Sequence, residues 1–454
     1  MKIAALLLLL ILIAVPLTFF FTSTGTNIGV QPVKVVGFET PVRIHIENPH
    51  GVRSATVTLE QDGKTWETNA AASPLRRFRI QRHVAPRDLT VNVGKQTDTA
   101  LHDGKARIVV TTVSNDLRAR IDSKSFDVDV MTTAPRVVAD GFQHYINQGG
   151  SEMVVFTPSG AWTEAGVKVG DRIFRGFPLP GHPGQYFSLF AFSWDLPVDT
   201  PIYVYATNPS GAMAKATFWT KVFPKKFRAS TIPLESMNID RIVNQIDTQN
   251  KIQGDLVQRF VYINSRLRKV NNKTLAGLRL RTEPKFLWTG AFLPMLDSTV
   301  ESRFADTRTY TWQGKKVDEQ VHLGFDLAKV AHSPIPASND GRVIWAEDLG
   351  IYGNCIVIDH GFGLQSVYGH LSEFLVKKGD MVKKGQIIGK TGSTGLAGGD
   401  HLHFTMQVDG VQVNAVEWWD PHWVKDRVLS KMGADLVAAD EPAPPVTHKR
   451  KRRK

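Results

Sequence analysis

Two short fragments hold the side chains best suited to chemistry. The first is Val321-His322-Leu323-Gly324-Phe325-Asp326-Leu327-Ala328, and the second, about eighty residues on, is His401-Leu402-His403-Phe404. Taken singly, neither decides anything, since a His four residues before an Asp is common and each side chain alone reads as solvated or capping. Together, in apolar strand-like flanks, they offer two imidazoles and a carboxylate. That set suffices for a catalytic zinc, which keeps a fourth position open for water. In an extended segment His401 and His403 project to one face, because side chains alternate with period two, so one can bind metal while the other faces a substrate. No His-Glu-x-x-His helix is present, which disfavours an arrangement with a helical Glu as base.

Between the fragments runs an ordered series: Ala337-Ser338-Asn339-Asp340-Gly341-Arg342-Val343-Ile344, Gly350 to Gly361, Tyr368-Gly369-His370-Leu371-Ser372, Val382 to Gly389, and Thr391-Gly392-Ser393-Thr394-Gly395. The glycine clusters Gly392 to Gly395 and Gly398-Gly399 lack the Lys and the strand-to-helix setting of a phosphate loop, so they read as tight β-turns and the rim of a groove. Cys355, the sole cysteine, lies in the apolar run Cys355-Ile356-Val357-Ile358 and reads as strand core; no internal disulfide is possible.

This series, with the approach segment Phe304-Ala305-Asp306-Thr307-Arg308, resembles the lysostaphin/LytM-type zinc metallopeptidase domain over about residues 286 to 424. The resemblance implies that His322, Asp326 and His403 are zinc ligands and that His370 and His401 are catalytic histidines beside the metal. It implies hydrolysis of peptide cross-links in bacterial peptidoglycan. Members of the family commonly have Gly where Ala305 stands and near His332, departures that bear on loop shape. His360 matches a turn position and reads as structural; His332 and His422 lie outside the motif, and His448 belongs to the tail. Two other functions stay open: an inert activator of a cell-wall amidase, which would characteristically lack ligands, and a zinc peptidase acting on exported proteins.

The elements that must position these residues are mainly β. From about Val33 to Val130 apolar residues alternate with polar ones, as in Val42, Ile44 and Ile46, with turns such as Asn48-Pro49-His50-Gly51 between runs. This predicts a β-sandwich-like module over 23–132, then a second β-rich module over 133–223. A helical connector is expected over 224–285, because Ile242, Ile246, Leu256, Phe260, Ile263 and Leu267 recur at near-helical spacing. The antiparallel-sheet peptidase domain is expected over 286–432, and 433–454 as a disordered basic tail. The β-modules are expected either to cover the groove or to act as a stalk.

Of the formal net charge of +12, half comes from the final six residues, Lys449 to Lys454. No element interleaves basic and aromatic residues as nucleic-acid readers do, so nucleic acid is not an expected partner. Ile3 to Phe21 is an uncharged apolar run behind Lys2, long enough as a helix to cross roughly 28 Å of hydrocarbon. Residues 1–22 are therefore expected to be a single-pass membrane anchor, with a cleaved signal peptide as the alternative; the exit Phe19-Phe20-Phe21 is bulky for cleavage. Either way the bulk of the chain lies outside the cytoplasm. Expected partners are the peptidoglycan peptide, the membrane through this helix, and an anionic polymer or lipid through the tail.

Overall fold

The computed structural model describes residues 2–74 and 83–432. The segment Lys449–Lys454 read as a tether lies outside them. Two compact units result, one made chiefly of the chain up to Arg136 and one made chiefly of the chain from Val137 onward.

The first unit opens with the helix Lys2–Phe21, which contains Pro16. Its side chains are described from Leu7 to Phe21 with position 19 left out, and those from Leu7 to Ile13 are exposed. Among the described residues no helix is long and apolar enough to cross a membrane. The segment expected as an anchor is helical over Lys2–Phe21, and nothing in the fold supports a membrane span. A sandwich follows, with sheets of three strands (Asn27–Val30, Thr40–Glu47, Arg87–Val93) and five strands, of which Gly104–Ser114 is central. The alternation has its physical cause here. Val42, Ile44, Ile46, Ile108, Val110, Val128 and Val130 point into one buried core, and their polar neighbours point to solvent.

The second unit contains the other β-rich module, the connector and the sheet that carries the chemical motifs. That sheet is antiparallel, in the order Thr299–Ser302, Phe325–Ala328, Leu402–Val408, Leu364–Leu371, Asn354–Asp359, Gly341–Asp348, Met381–Val382, with Val411–Val413 paired to Leu402–Val408. Every residue of Leu364–Leu371 and Leu402–Val408 is buried, so these central strands are covered on both faces.

The connector supplies much of one cover. Helices Ile239–Ile246, Leu256–Tyr262 and Arg268–Gly277 turn Ile242, Phe260 and Leu275 into a core shared with Cys355, Val357 and Val367 of the sheet. Asn238 and Asp255 cap the first two, the latter in a reciprocal box with Gln258. The first part of the expected helical connector is not helical: it contains a strand, Ala229–Pro233, that pairs in parallel with Asp306–Trp312.

The second β-rich module packs on the same sheet domain. Phe187 stacks on Phe286 at 5.3 Å and meets Phe362 edge-on at 5.0 Å, and Phe177 lies 5.2 Å from Phe362. Polar ties flank these rings: Arg175 donates to Asp409, and Lys431 Nζ pairs with Glu152 at 2.8 Å in nearly complete burial.

Candidate active site

The strand register decides which side chains meet. Lys315–His322 ends at His322, the chain turns through Leu323 and Gly324, and Phe325–Ala328 pairs antiparallel with Leu402–Val408 so that Asp326 lies directly across from His403. The turn brings His322 back over the pair. Gly324 is required there, since a Cβ at this position would sit 2.5 Å from His403 Cε1.

Three atoms converge. His322 Nε2 lies 2.9 Å from Asp326 Oδ1 and 2.9 Å from His403 Nδ1, and His403 Nδ1 lies 3.2 Å from the same Asp326 oxygen. All three residues are buried. Two imidazole nitrogens and a carboxylate oxygen at such separations crowd lone pairs together, and a cation among them relieves that crowding. The supporting contacts fit. His322 Nδ1–H donates to the Arg303 carbonyl at 3.2 Å, leaving the Nε2 lone pair toward the cluster. Arg308 Nη2 donates to Asp326 Oδ2 at 2.6 Å, leaving Oδ1 toward it. The residues present are thus suited to a metal ion.

His370 and His401 stand beside this cluster, with their rings 4.9 Å apart. Each is oriented by a backbone carbonyl: His370 Nδ1–H donates to Thr394 at 2.8 Å, and His401 Nδ1–H donates to Gly399 at 2.9 Å. Each therefore presents Nε2 to the groove, and that of His401 lies 3.4 Å from Asp326 Oδ1. His370 has φ +67°, a conformation that costs roughly 1–2 kcal/mol in a residue with a Cβ. A β-bulge produces it, because the pairing of Asn354–Asp359 with Leu364–Leu371 shifts register at this level. Such bulges re-aim side chains at active sites.

Burial governs the protonation of the cluster. It pushes His322 down, His370 well down and His403 to about 4, with the nearby imidazoles adding to the effect on His370 and His403. For Asp326 burial alone would raise the pKa, but the imidazoles of His322, His401 and His403 gathered around it hold it well below the usual carboxylate range. Burial would lower His401 too, yet the hydrogen bond and charge of Asp326 raise it. Neutral His322 and His403 beside an ionised Asp326 are the protonation states that metal ligation needs.

The cluster lies in a groove of about 570 Å³. Arg228, Ser230 and Met237 of the connector and Glu301, Tyr352 and Gly399 of the sheet domain are among its lining residues. All five residues singled out in the sequence meet here. Among the described residues the other histidines do not. His360 is buried elsewhere, its Nδ1–H donating to Asp340 and its Nε2 2.8 Å from Ser366 Oγ, while His332 and His422 are exposed. Ala305 and His332 have φ +62° and +60°, so the backbone is left-handed at Ala305, where the resemblance leads one to expect glycine, and also at His332, near which it does. Nothing in the approach segment marks Arg308 as a partner of Asp326; its hairpin partner strand ends at His322, a register that the turn Gln313-Gly314 helps to define. Tyr352, whose ring lies 5.5 Å from that of His403, gave no signal in the sequence.

A β-sheet that gathers two histidines and an aspartate in a groove, with two further histidines alongside, defines a metallopeptidase-type site. Residues 320–415 match the model for Peptidase family M23, so the chain carries a domain of that metallopeptidase family. The peptidoglycan DD-endopeptidase ShyA of Vibrio cholerae is 43% identical over 96 residues, 21% of this chain and 22% of that protein. The DD-carboxypeptidase/endopeptidase Mpg of Neisseria meningitidis is 37% identical over 107 residues, 24% of this chain and 23% of its own. The match thus spans under a quarter of each of these relatives. Among solved structures, a peptidase M23 of Pseudomonas aeruginosa aligns with 60% of this chain and 94% of its own at 19% identity, with a TM-score of 0.38.

Proposed function

We propose that this protein is a zinc-dependent endopeptidase that hydrolyses the peptide cross-links of bacterial peptidoglycan. The observation that carries the reading is the convergence of His322, Asp326 and His403 with His370 and His401 presenting Nε2 beside them. His322 Nε2, Asp326 Oδ1 and His403 Nδ1 would hold the metal. Bound there, zinc supplies a Lewis acid for the scissile carbonyl and the attacking water. His370 and His401, fixed through Nδ1, do the proton work: an unprotonated Nε2 takes the proton from water and passes it to the departing amine, while a protonated one hydrogen-bonds the oxyanion. The groove accepts an extended peptide, and Gly398 and Gly399 leave its rim without side chains.

The name of ShyA, a peptidoglycan DD-endopeptidase, supports the choice of substrate, and that of Mpg the endopeptidase activity. An inert activator is the weaker reading because none of the five positions is lost. A metal-loaded preparation is to be incubated with purified sacculi and the soluble products weighed by mass spectrometry. Uncross-linked muropeptides are expected from wild type and none after chelation; intact cross-links with stoichiometric zinc bound would refute the reading.

We further propose that the apolar helix Lys2–Phe21 anchors the chain in a membrane with its bulk outside the cytoplasm. Fractionation that recovers the full chain without detergent would refute this. The tail Lys449 to Lys454 is proposed as an electrostatic tether to anionic polymer or lipid. Deleting it is expected to weaken sedimentation with sacculi at low salt only, because at 1 M salt the Debye length falls to roughly 3 Å. Equal binding at low salt would sink it.

A further inference from the structure

The two histidines beside the metal cluster owe their orientation to one loop. It is closed at its base by Gly392 and His401, which form a bridge with His401 N–H donating to Gly392 O at 3.0 Å. Within it Thr394 O accepts from His370 and Gly399 O accepts from His401, so a shift of the loop moves the reference points of both imidazoles.

The first half of the loop is tied to the sheet domain. Thr394 Oγ1 donates to Leu371 O and accepts from Asn354 N–H, and Leu396 N–H donates to Ile351 O. The second half contains Gly398 and Gly399, both exposed, with nothing within 4 Å of where a Cβ would stand. Two adjacent glycines are the freest backbone a chain offers.

Arg241, from the first connector helix, reaches both halves. Its Nη1 donates to Ser393 O at 2.8 Å and its Nη2 to Ala397 O at 2.6 Å, so one planar guanidinium spans two carbonyls. Its base is rigid, since Ile239, Ile242 and Val243 of the same helix are buried in the core shared with the sheet, and Asn238 caps the Arg241 amide. Ala397 O is the last point held from outside the loop before the carbonyl that orients His401.

We propose that Arg241 is a positioning residue for the active site. It clamps the loop 392–401 from outside and thereby holds the Thr394 and Gly399 carbonyls where they fix the Nδ1 sides of His370 and His401. The proposal rests on the reading that these two histidines act in hydrolysis. Arg241 lies outside the matched residues 320–415, so the working site includes the connector.

The test uses full-length, metal-loaded Arg241→Met, with amide hydrogen exchange of the loop and steady-state kinetics on a cross-linked peptide, at measured metal content. Expected are faster exchange confined to residues 396–401, unchanged metal content, and a kcat lowered about 10²-fold, the scale of a small misplacement of catalytic groups. KM is expected to move little. Arg241→Lys, which keeps the charge but reaches one carbonyl, is expected to fall between the two. If Arg241→Met exchanges rapidly throughout, the same comparison is made with Arg241→Lys alone, and a kcat reduced in step with loop exchange supports the clamp. Unchanged loop exchange, or a freed loop with unchanged kcat, overturns it. A wild-type protein without hydrolytic activity refutes the enzymatic reading instead, and the exchange measurement still decides whether Arg241 restrains the loop.

Discussion

Glu417 joins the second β-rich module to the peptidase domain, and replacing it by glutamine tests that joint. It lies in the short helix Ala415–Trp419, buried, with Oε1 accepting from Asn147 Nδ2 at 2.8 Å and Oε2 from the Ser151 amide at 2.9 Å. Gly150 leaves it room, since a Cβ there would collide with both carboxylate oxygens. Burial pushes its pKa from 4.5 up to about 7, helped by the charge of Glu152 and opposed by the Asn147 and Ser151 hydrogen bonds and by Lys225. At 1.36 kcal/mol per pKa unit, this rise corresponds to about 3 kcal/mol. Between pH 4.5 and 7 the folded state binds this proton and the unfolded state does not, so stability is lost as pH rises through that window. Glu417→Gln is neutral throughout. Its carbonyl can accept from Ser151 and its amide can face Asn147 once that amide flips. The variant is therefore expected to match wild type near pH 4.5 and to exceed it by about 3 kcal/mol at pH 8. Urea unfolding followed by tryptophan emission reads this, since Trp418 Nε1 donates to Ser151 Oγ at the same joint. A stability difference that is the same at pH 5 and pH 8, or a Gln variant weaker than wild type at pH 8, would refute the reasoning.

Three further outcomes are expected. His403→Ala loses both metal and hydrolysis, whereas His370→Ala and His401→Ala keep the metal and lose about 10²- to 10⁴-fold in rate; elemental analysis beside the kinetics separates them, and equal zinc loss in all three would move those histidines among the ligands. A fragment beginning near residue 286 bares Phe286 and Phe362 and lacks Arg241, so it is expected to aggregate or to turn over far more slowly than the whole chain; equal activity and solubility would show that the preceding residues are dispensable. Ala305→Gly relieves a left-handed alanine and is expected to stabilise the fold by roughly 1 kcal/mol, read as a raised unfolding midpoint; a lowered midpoint would contradict this.

What could be read in the sequence was local. The alternation of Val42, Ile44 and Ile46, the helical spacing of Ile242, Phe260 and Ile263, and the burial of Cys355 each follow from a few neighbouring residues, and each is seen in the fold. The histidines and aspartate of the site could be named because their motifs are short and ordered. What could not be read depends on distant partners. Nothing near Glu417 announces Ser151, and nothing near Phe187 announces Phe286 or Phe362, so the second module read as a separate piece although it packs on the peptidase sheet. The start of the connector, read as helical, hid a strand, because Ala229–Pro233 is short and is defined by its pairing with Asp306–Trp312. Nothing in the sequence marks Arg241, since the carbonyls it binds are backbone groups that no side-chain pattern reveals.

The most direct test of the central claim is a single mass spectrum. A defined cross-linked muropeptide is incubated with the metal-loaded chain in water enriched in heavy oxygen, beside His403→Ala. Hydrolysis as proposed yields two peptides from one, with a single heavy oxygen in the newly formed carboxylate, from wild type and not from the variant. Recovery of the intact cross-link from wild type, or the same labelled products from His403→Ala, would contradict the account.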